Sequence, residues 1–173
     1  TFPIMHRTNK KGYVYESCSD GRSEYVLGAD QGVFYVIAKR IPHTETEVNP
    51  LGKIQIVKIG YSHNNIAFPS ITDGAIKDNG QLTREMELFN ISVAAIDNLP
   101  NETASKQFQD LHPGKVWRVA SSGQLKADIT WNEENMTATE SKVKALDKTV
   151  KFVLDGNVIL PQEDTPDAVE FKK

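Results

Sequence analysis

Groups able to bind a hard cation are the most concentrated chemistry in this chain. Asp73, Asp78 and Asn79 crowd one stretch, and Asp97, Asn98, Asn101 and Glu102 crowd another. Calcium takes about six to eight oxygen ligands, and acidic loops of this kind can supply them. Asp and Asn also form turns for purely local reasons, by hydrogen-bonding their own backbone, so the turn reading stands beside the calcium one. Other chemistry is sparse. His6, His43, His63 and His112 lie far apart and build no HxH or HExxH pattern, which leaves no local zinc site. There is no G-x-S-x-G elbow, no P-loop and no G-x-G-x-x-G, so neither a nucleophilic hydrolase nor a nucleotide site is visible. Ser141-Lys142-Val143-Lys144 fits S-x-x-K, but it falls on a stretch that reads as an amphipathic helix. Trp117 and Trp131 sit in strand-like runs with Tyr13, Tyr15, Tyr25, Phe34 and Tyr35, where aromatics serve a core or cross-strand pairs more often than a carbohydrate platform.

Composition narrows the classes. The 173 residues, 39% hydrophobic and 25% charged, are ordinary for a globular protein and long enough for one large domain or two small ones. The net charge of −3 argues against nucleic acid, and the basic residues come at most in pairs, as at Lys10-Lys11, Lys39-Arg40 and Lys172-Lys173. No apolar run approaches the ~18 residues of a membrane span. The chain begins at Thr1, which reads as a mature or excised fragment. Cys18 is the only cysteine, so no intrachain disulfide forms, and no histidine or basic residue adjoins it in the sequence. Three N-x-S/T sequons, at Asn90, Asn101 and Asn135, favour glycosylation and a secreted or cell-surface location.

The elements that must position these groups read mainly as strands. Gln81 to Pro100 carries a two-residue alternation, with Phe89, Ile91, Val93 and Ala95 on one side and Asn90, Ser92 and Ala94 on the other, as in a half-buried strand. Tyr13–Glu16, Ser23–Leu27, Val33–Arg40, Lys53–Tyr61, Ile66–Ile71, Lys115–Ala120 and Gln124–Trp131 are further strand-like runs. Residues 28–32 form a hairpin loop between two of them. Lys151 to Leu160 reads as a hairpin, FVL-DG-NVI, because Asp155-Gly156 suits a two-residue turn. Two short helices complete the set. One carries Ala104, Phe108 and Leu111 at i, i+4 and i+7 and stops at His112-Pro113-Gly114. The other starts at a Thr137/Glu140 capping box and carries Val143, Leu146 and Val150 as an apolar stripe. The fold class this implies is mainly β, an antiparallel β-sandwich with one or two short helices. Residues 1–100 form the sandwich unit, and 101–173 form a smaller α+β unit or its continuation, with a polar tail from Pro161.

The spacing Phe89-x-Ile91-x-Val93-x-Ala95-x-Asp97 resembles a late strand of cadherin repeats, and Leu82-Thr83-Arg84-Glu85 looks like their Leu-Asp-Arg-Glu motif with Thr83 in the Asp place. Gly74 stands at the family's distance ahead of that motif, and Glu16 and Gly21 have the spacing of its Glu-x-x-x-x-Gly segment. In the Ala-x-Asp place that begins at Ala29, Gln31 holds the Asp position and Asp30 comes one residue early. The family's Asp-x-Asn-Asp-Asn linker is missing, and the resemblance spans Tyr13 to Asn98. It implies an extracellular sandwich and makes Glu16, Asp30, Glu85 and Asp97 candidate calcium ligands. The functional expectation is a non-enzymatic adhesion or recognition module that binds a protein partner, with homo-oligomerisation open. The alternatives are a viral or phage capsid, spike or tail protein, and a carbohydrate-active domain whose two carboxylates come from distant strands.

Overall fold

The computed structural model describes residues 15–41, 52–63, 67–124 and 126–160. The chain opens with a three-stranded antiparallel meander: β1 (Tyr25–Ala29), β2 (Phe34–Ile41) and β3 (Lys53–Tyr61). Ile37 lies opposite Lys58 and Ala38 opposite Ile56, which leaves Val57 as the extra residue of a bulge. That bulge is why β3 looks apolar on both sides in sequence. A small hairpin, β4 (Ser70–Thr72) with β5 (Ala75–Asp78), then leads into α1 (Gln81–Leu88). From there the chain alternates: β6 (Val93–Asp97), α2 (Glu102–Leu111), β7 (Val116–Ser122), the hairpin of β8 (Ile129–Asn132) and β9 (Thr137–Ser141), α3 (Lys142–Leu154), and β10 (Val158–Ile159).

All but β4 and β5 join one eight-stranded sheet in the order β10-β3-β2-β1-β6-β7-β9-β8, which takes strands from both sides of Pro100. Pairings β1–β6, β6–β7, β7–β9 and β3–β10 are parallel, while β1–β2, β2–β3 and β8–β9 are antiparallel. A parallel neighbour needs a crossover, and helices supply it here. The main core lies between one face of the sheet (Tyr25, Leu27, Tyr35, Ile37, Ala94, Ile96, Val116) and the helices α1 and α2, which contribute Leu82, Met86, Ala104 and Phe108, with Phe89 and Ile91 beside them. A smaller cluster of Ile56, Ile59, Val158 and Leu160 occupies the other face, and Phe152 and Val153 of α3 pack on it.

This architecture corrects the sandwich expectation and with it the cadherin-like and immunoglobulin-like resemblance. The molecule is an α/β fold built on one mixed, largely parallel sheet with helices crossing between strands. The alternation from Gln81 onward misled because two periods overlap in it. Leu82, Met86 and Phe89 recur at i, i+4 and i+7 and form the buried stripe of a helix. The strand begins only at Val93, and its phase is opposite to the expectation: Ala94 and Ile96 are buried while Val93 and Ala95 are exposed. Two further corrections have similar causes. Thr137 and Glu140 lie in β9, so the capping box does not form and Ser141 precedes the helix instead. Lys151–Leu154 ends α3, and Asp155-Gly156 is its C-terminal turn, with Gly156 at φ 80°. A glycine at positive φ terminates a helix as readily as it turns a hairpin. The expected strand at residues 13–16 lies partly outside the described residues, and its described part, Tyr15 and Glu16, is not in a strand; the tail from Pro161 lies outside altogether.

Candidate functional site

A cleft of about 410 Å³ opens between α1 and the turn that joins α2 to β7, lined by Asn79, Thr83, Met86, Glu87, Asn90, Leu111, His112 and Lys115. Helical geometry builds its first wall. Thr83, Met86, Glu87 and Asn90 follow one another at i, i+3, i+4 and i+7, so they share a stripe beside the core stripe of α1. Gly80 sets where that helix begins: its φ is 85°, and a Cβ there would lie 2.4 Å from the Ala67 carbonyl oxygen. The opposite wall is the end of α2. Asn101 caps that helix by accepting from the Ala104 amide at 3.0 Å, and Gln109 ties it to β7 by donating to the Val116 carbonyl at 2.9 Å. His112 is the last half-helical residue, and Lys115 donates its amide back to the His112 carbonyl at 3.2 Å.

His112 is the chemical centre of the cleft. Its Nε2 lies 3.0 Å from the Thr83 Oγ1, and its ring meets the Phe108 ring edge-on at 4.9 Å. Burial pushes its pKa below the usual imidazole value; the Glu87 carboxylate works against that shift and the Lys115 ammonium works with it. The ring is therefore neutral at pH 7 and able to donate from one nitrogen and accept at the other. Glu87 and Lys115 are both exposed and form no ion pair among the described residues, so the cleft offers a ligand one carboxylate, one ammonium and the amides of Asn79 and Asn90. Comparison with protein-family models, with curated proteins and with solved structures finds no match to this chain. The reading of the site rests on its geometry.

A second titratable pair lies at the other end of the sheet. Chain leaves β1 toward β2 on one side and β6 toward α2 on the other, which opens a crevice beyond the carboxyl ends of these two parallel strands. Asp30 and Asp97 stand there as the residues at those ends. Partial burial, a hydrogen bond with the Asp30 carboxyl, and the charges of Asp30 and Glu140 push Asp97 up to about 7. Gln31, 5% exposed, bridges the crevice by donating to the Asp97 carbonyl at 2.6 Å and accepting from the Asn101 amide at 3.1 Å.

Of the four expected calcium ligands, the structure brings together Asp30 and Asp97 and keeps the other two apart. Glu16 accepts from the Tyr25 hydroxyl at 2.6 Å and pairs with Lys39 at 2.5 Å. Glu85, 3% exposed, pairs with Lys58 at 2.6 Å. Among the described residues no three His, Cys, Asp or Glu side chains gather into a metal-binding group. The three sequon asparagines are exposed: Asn90 in the turn after α1 at φ 48°, Asn101 at the cap of α2, and Asn135 between β8 and β9. Cys18 is exposed. No helix among the described residues is long and apolar enough to cross a membrane. The Thr83–His112 pair is not visible in the sequence, where His112 reads as an isolated histidine at a helix stop and Thr83 as part of a Leu-Thr-Arg-Glu string. Nothing in a sequence measures the distance between positions 83 and 112, and the sole usable signal was the side of the first helix on which Thr83 falls.

Proposed function

We propose that this protein is a binding module for a small polar molecule that carries both a cationic and an anionic group, held in the α1–α2 cleft. The observation that carries this reading is the cleft itself, half open, with a neutral imidazole fixed by Thr83 on its wall and opposite charges at Glu87 and Lys115. Binding sites for small ligands combine apolar lining, here Met86 and Leu111, with a few convergent polar groups. Binding is favoured over catalysis for two reasons. Thr83 is 5% exposed, so its hydroxyl is a poor nucleophile for an incoming substrate. No side chain among the described residues donates to or accepts from the second ring nitrogen of His112, whereas a nucleophile–base pair needs such an orienting group.

A panel of amino acids, amino sugars and other small zwitterions, screened by thermal unfolding, tests the reading. A ligand of the folded state raises the midpoint by an amount that grows with the logarithm of its concentration over Kd. The expected hit loses its effect in Lys115→Ala and in His112→Ala and keeps it in Asp97→Asn. Hits that survive both cleft substitutions would sink the proposal.

A second reading, recognition of a protein partner, is favoured by a different observation. Helix α3 is amphipathic, yet none of its residues is buried, and Val143 and Leu146 are 67% and 60% exposed. Phe152 and Val153 anchor the end of the helix on the small cluster, whereas Val143 and Leu146 have no such cover among the described residues. A helix of 13 residues gains stability when an apolar stripe of this kind is covered.

A further inference from the structure

We propose that the cover of α3 is α3 of a second copy, packed parallel about a two-fold axis. The apolar residues of the helix repeat in the alternating three-and-four spacing of a helix seam: Val143, Leu146, Val150 and Val153. Val143 and Leu146 stand well clear of their own chain, Val150 is half-buried, and Val153 turns inward to the small cluster on the sheet. With Val143 and Val150 in the first core position of the repeat and Leu146 in the second, the seam has the β-branched and leucine order that favours two parallel strands.

The charges select the same partner. Of the five charged residues on α3, Lys144 and Lys148 pair with Asp128, and Lys151 pairs with Asp155 at 2.8 Å. Lys142 and Asp147 are exposed and have no ion pair among the described residues. These two flank the seam, Lys142 in the position just before the first core residue and Asp147 just after the second. Five residues apart, they do not meet within one helix, whereas in a parallel pair this spacing brings each lysine against the aspartate of the other helix. One two-fold axis therefore makes two identical ion pairs and buries Val143, Leu146 and Val150 against their own copies, the self-complementarity that an isologous interface requires.

Sedimentation equilibrium of the full chain over a range of concentrations tests this. The wild type is expected to dimerise, and Leu146→Lys to remain monomeric with its low-concentration unfolding midpoint little changed, since Leu146 is 60% exposed and belongs to neither buried cluster. The charge exchange is more specific. Lys142→Glu and Asp147→Lys each place like charges across the axis and should weaken the dimer roughly five- to tenfold, while the double exchange should restore it. A wild type that stays monomeric to about 1 mM would overturn the proposal. So would a dimer indifferent to Leu146→Lys, or a double exchange that fails to rescue, which would point to a different protein as the occupant.

Discussion

At the residue scale, two groups with displaced pKa values give the protein opposite responses to pH. Asp97 has a folded-state pKa of about 7 against 3.8 for the free side chain. A raised carboxyl favours its neutral form, so its contribution to stability is fully present below about 4 and is lost as pH rises through 7. His112 is displaced downward. Its contribution is present above about 6.5 and is lost as pH falls toward and through its lowered pKa. Urea unfolding across pH 4 to 8 should separate the two. Asp97→Asn removes the alkaline loss and, after allowing for solvent screening, should gain about 1 kcal/mol at pH 8, or ~2–4 °C in midpoint for a chain of this size. His112→Gln should flatten the acid limb and leave the alkaline limb as it was. An unchanged alkaline limb in Asp97→Asn would mean that Asp30 and Asp97 do not share a proton.

At the element scale, α1 docks on the sheet through an apolar stripe and through one ion pair whose acid is nearly out of solvent. Glu85 has a side chain 4% exposed, and its Oε2 has no hydrogen-bond partner among the described residues, so the Lys58 ammonium at 2.6 Å carries most of its compensation. Lys58→Met strands that carboxylate and should cost about 3–5 kcal/mol in urea unfolding, whereas adding Glu85→Leu should recover most of the loss. Equal stability of the single and double variants would show that water already serves Glu85. This pair also shows where sequence stops. Its members are 27 residues apart, and Glu85 in a Leu-Thr-Arg-Glu string resembled a calcium ligand. The first hairpin, β3, the helix over Ala104 to Leu111 and the β7 strand were all legible, because each had one period and clear punctuation. Residues 81–100 were not, and in 137–160 the apolar stripe of α3 was legible but its two ends were not. Helix and strand meet there within a few residues, and a short window cannot separate a period of two from one of 3.6. The cleft needed the sheet order first: α1 and α2 become neighbours only because β6 returns beside β1.

At the scale of the whole molecule, stability is distributed unevenly across the sheet. The central strands β2, β1 and β6 carry side chains buried to 1% or less, among them Tyr25, Tyr35, Ile37, Ala94 and Ile96, all locked against α1 and α2. The far edge is held by β10, which pairs through two residues, and by α3, which buries none. Opening α3 and β10 exposes only the small cluster of Ile56, Ile59, Val158 and Leu160 and leaves the main core intact, so it should cost less than global unfolding. Hydrogen exchange followed by mass spectrometry should then find α3 amides exchanging well before those of β1 and β6 in dilute protein. If a second copy covers the seam, raising the concentration slows exchange in α3 alone, and Leu146→Lys abolishes that gain without altering β1 or β6. Protection of α3 equal to that of β6 at every concentration would mean that the last crossover belongs to the same cooperative unit as the centre of the sheet. The cleft lies outside the part predicted to open, so ligand binding at His112 and pairing at α3 should each proceed without the other.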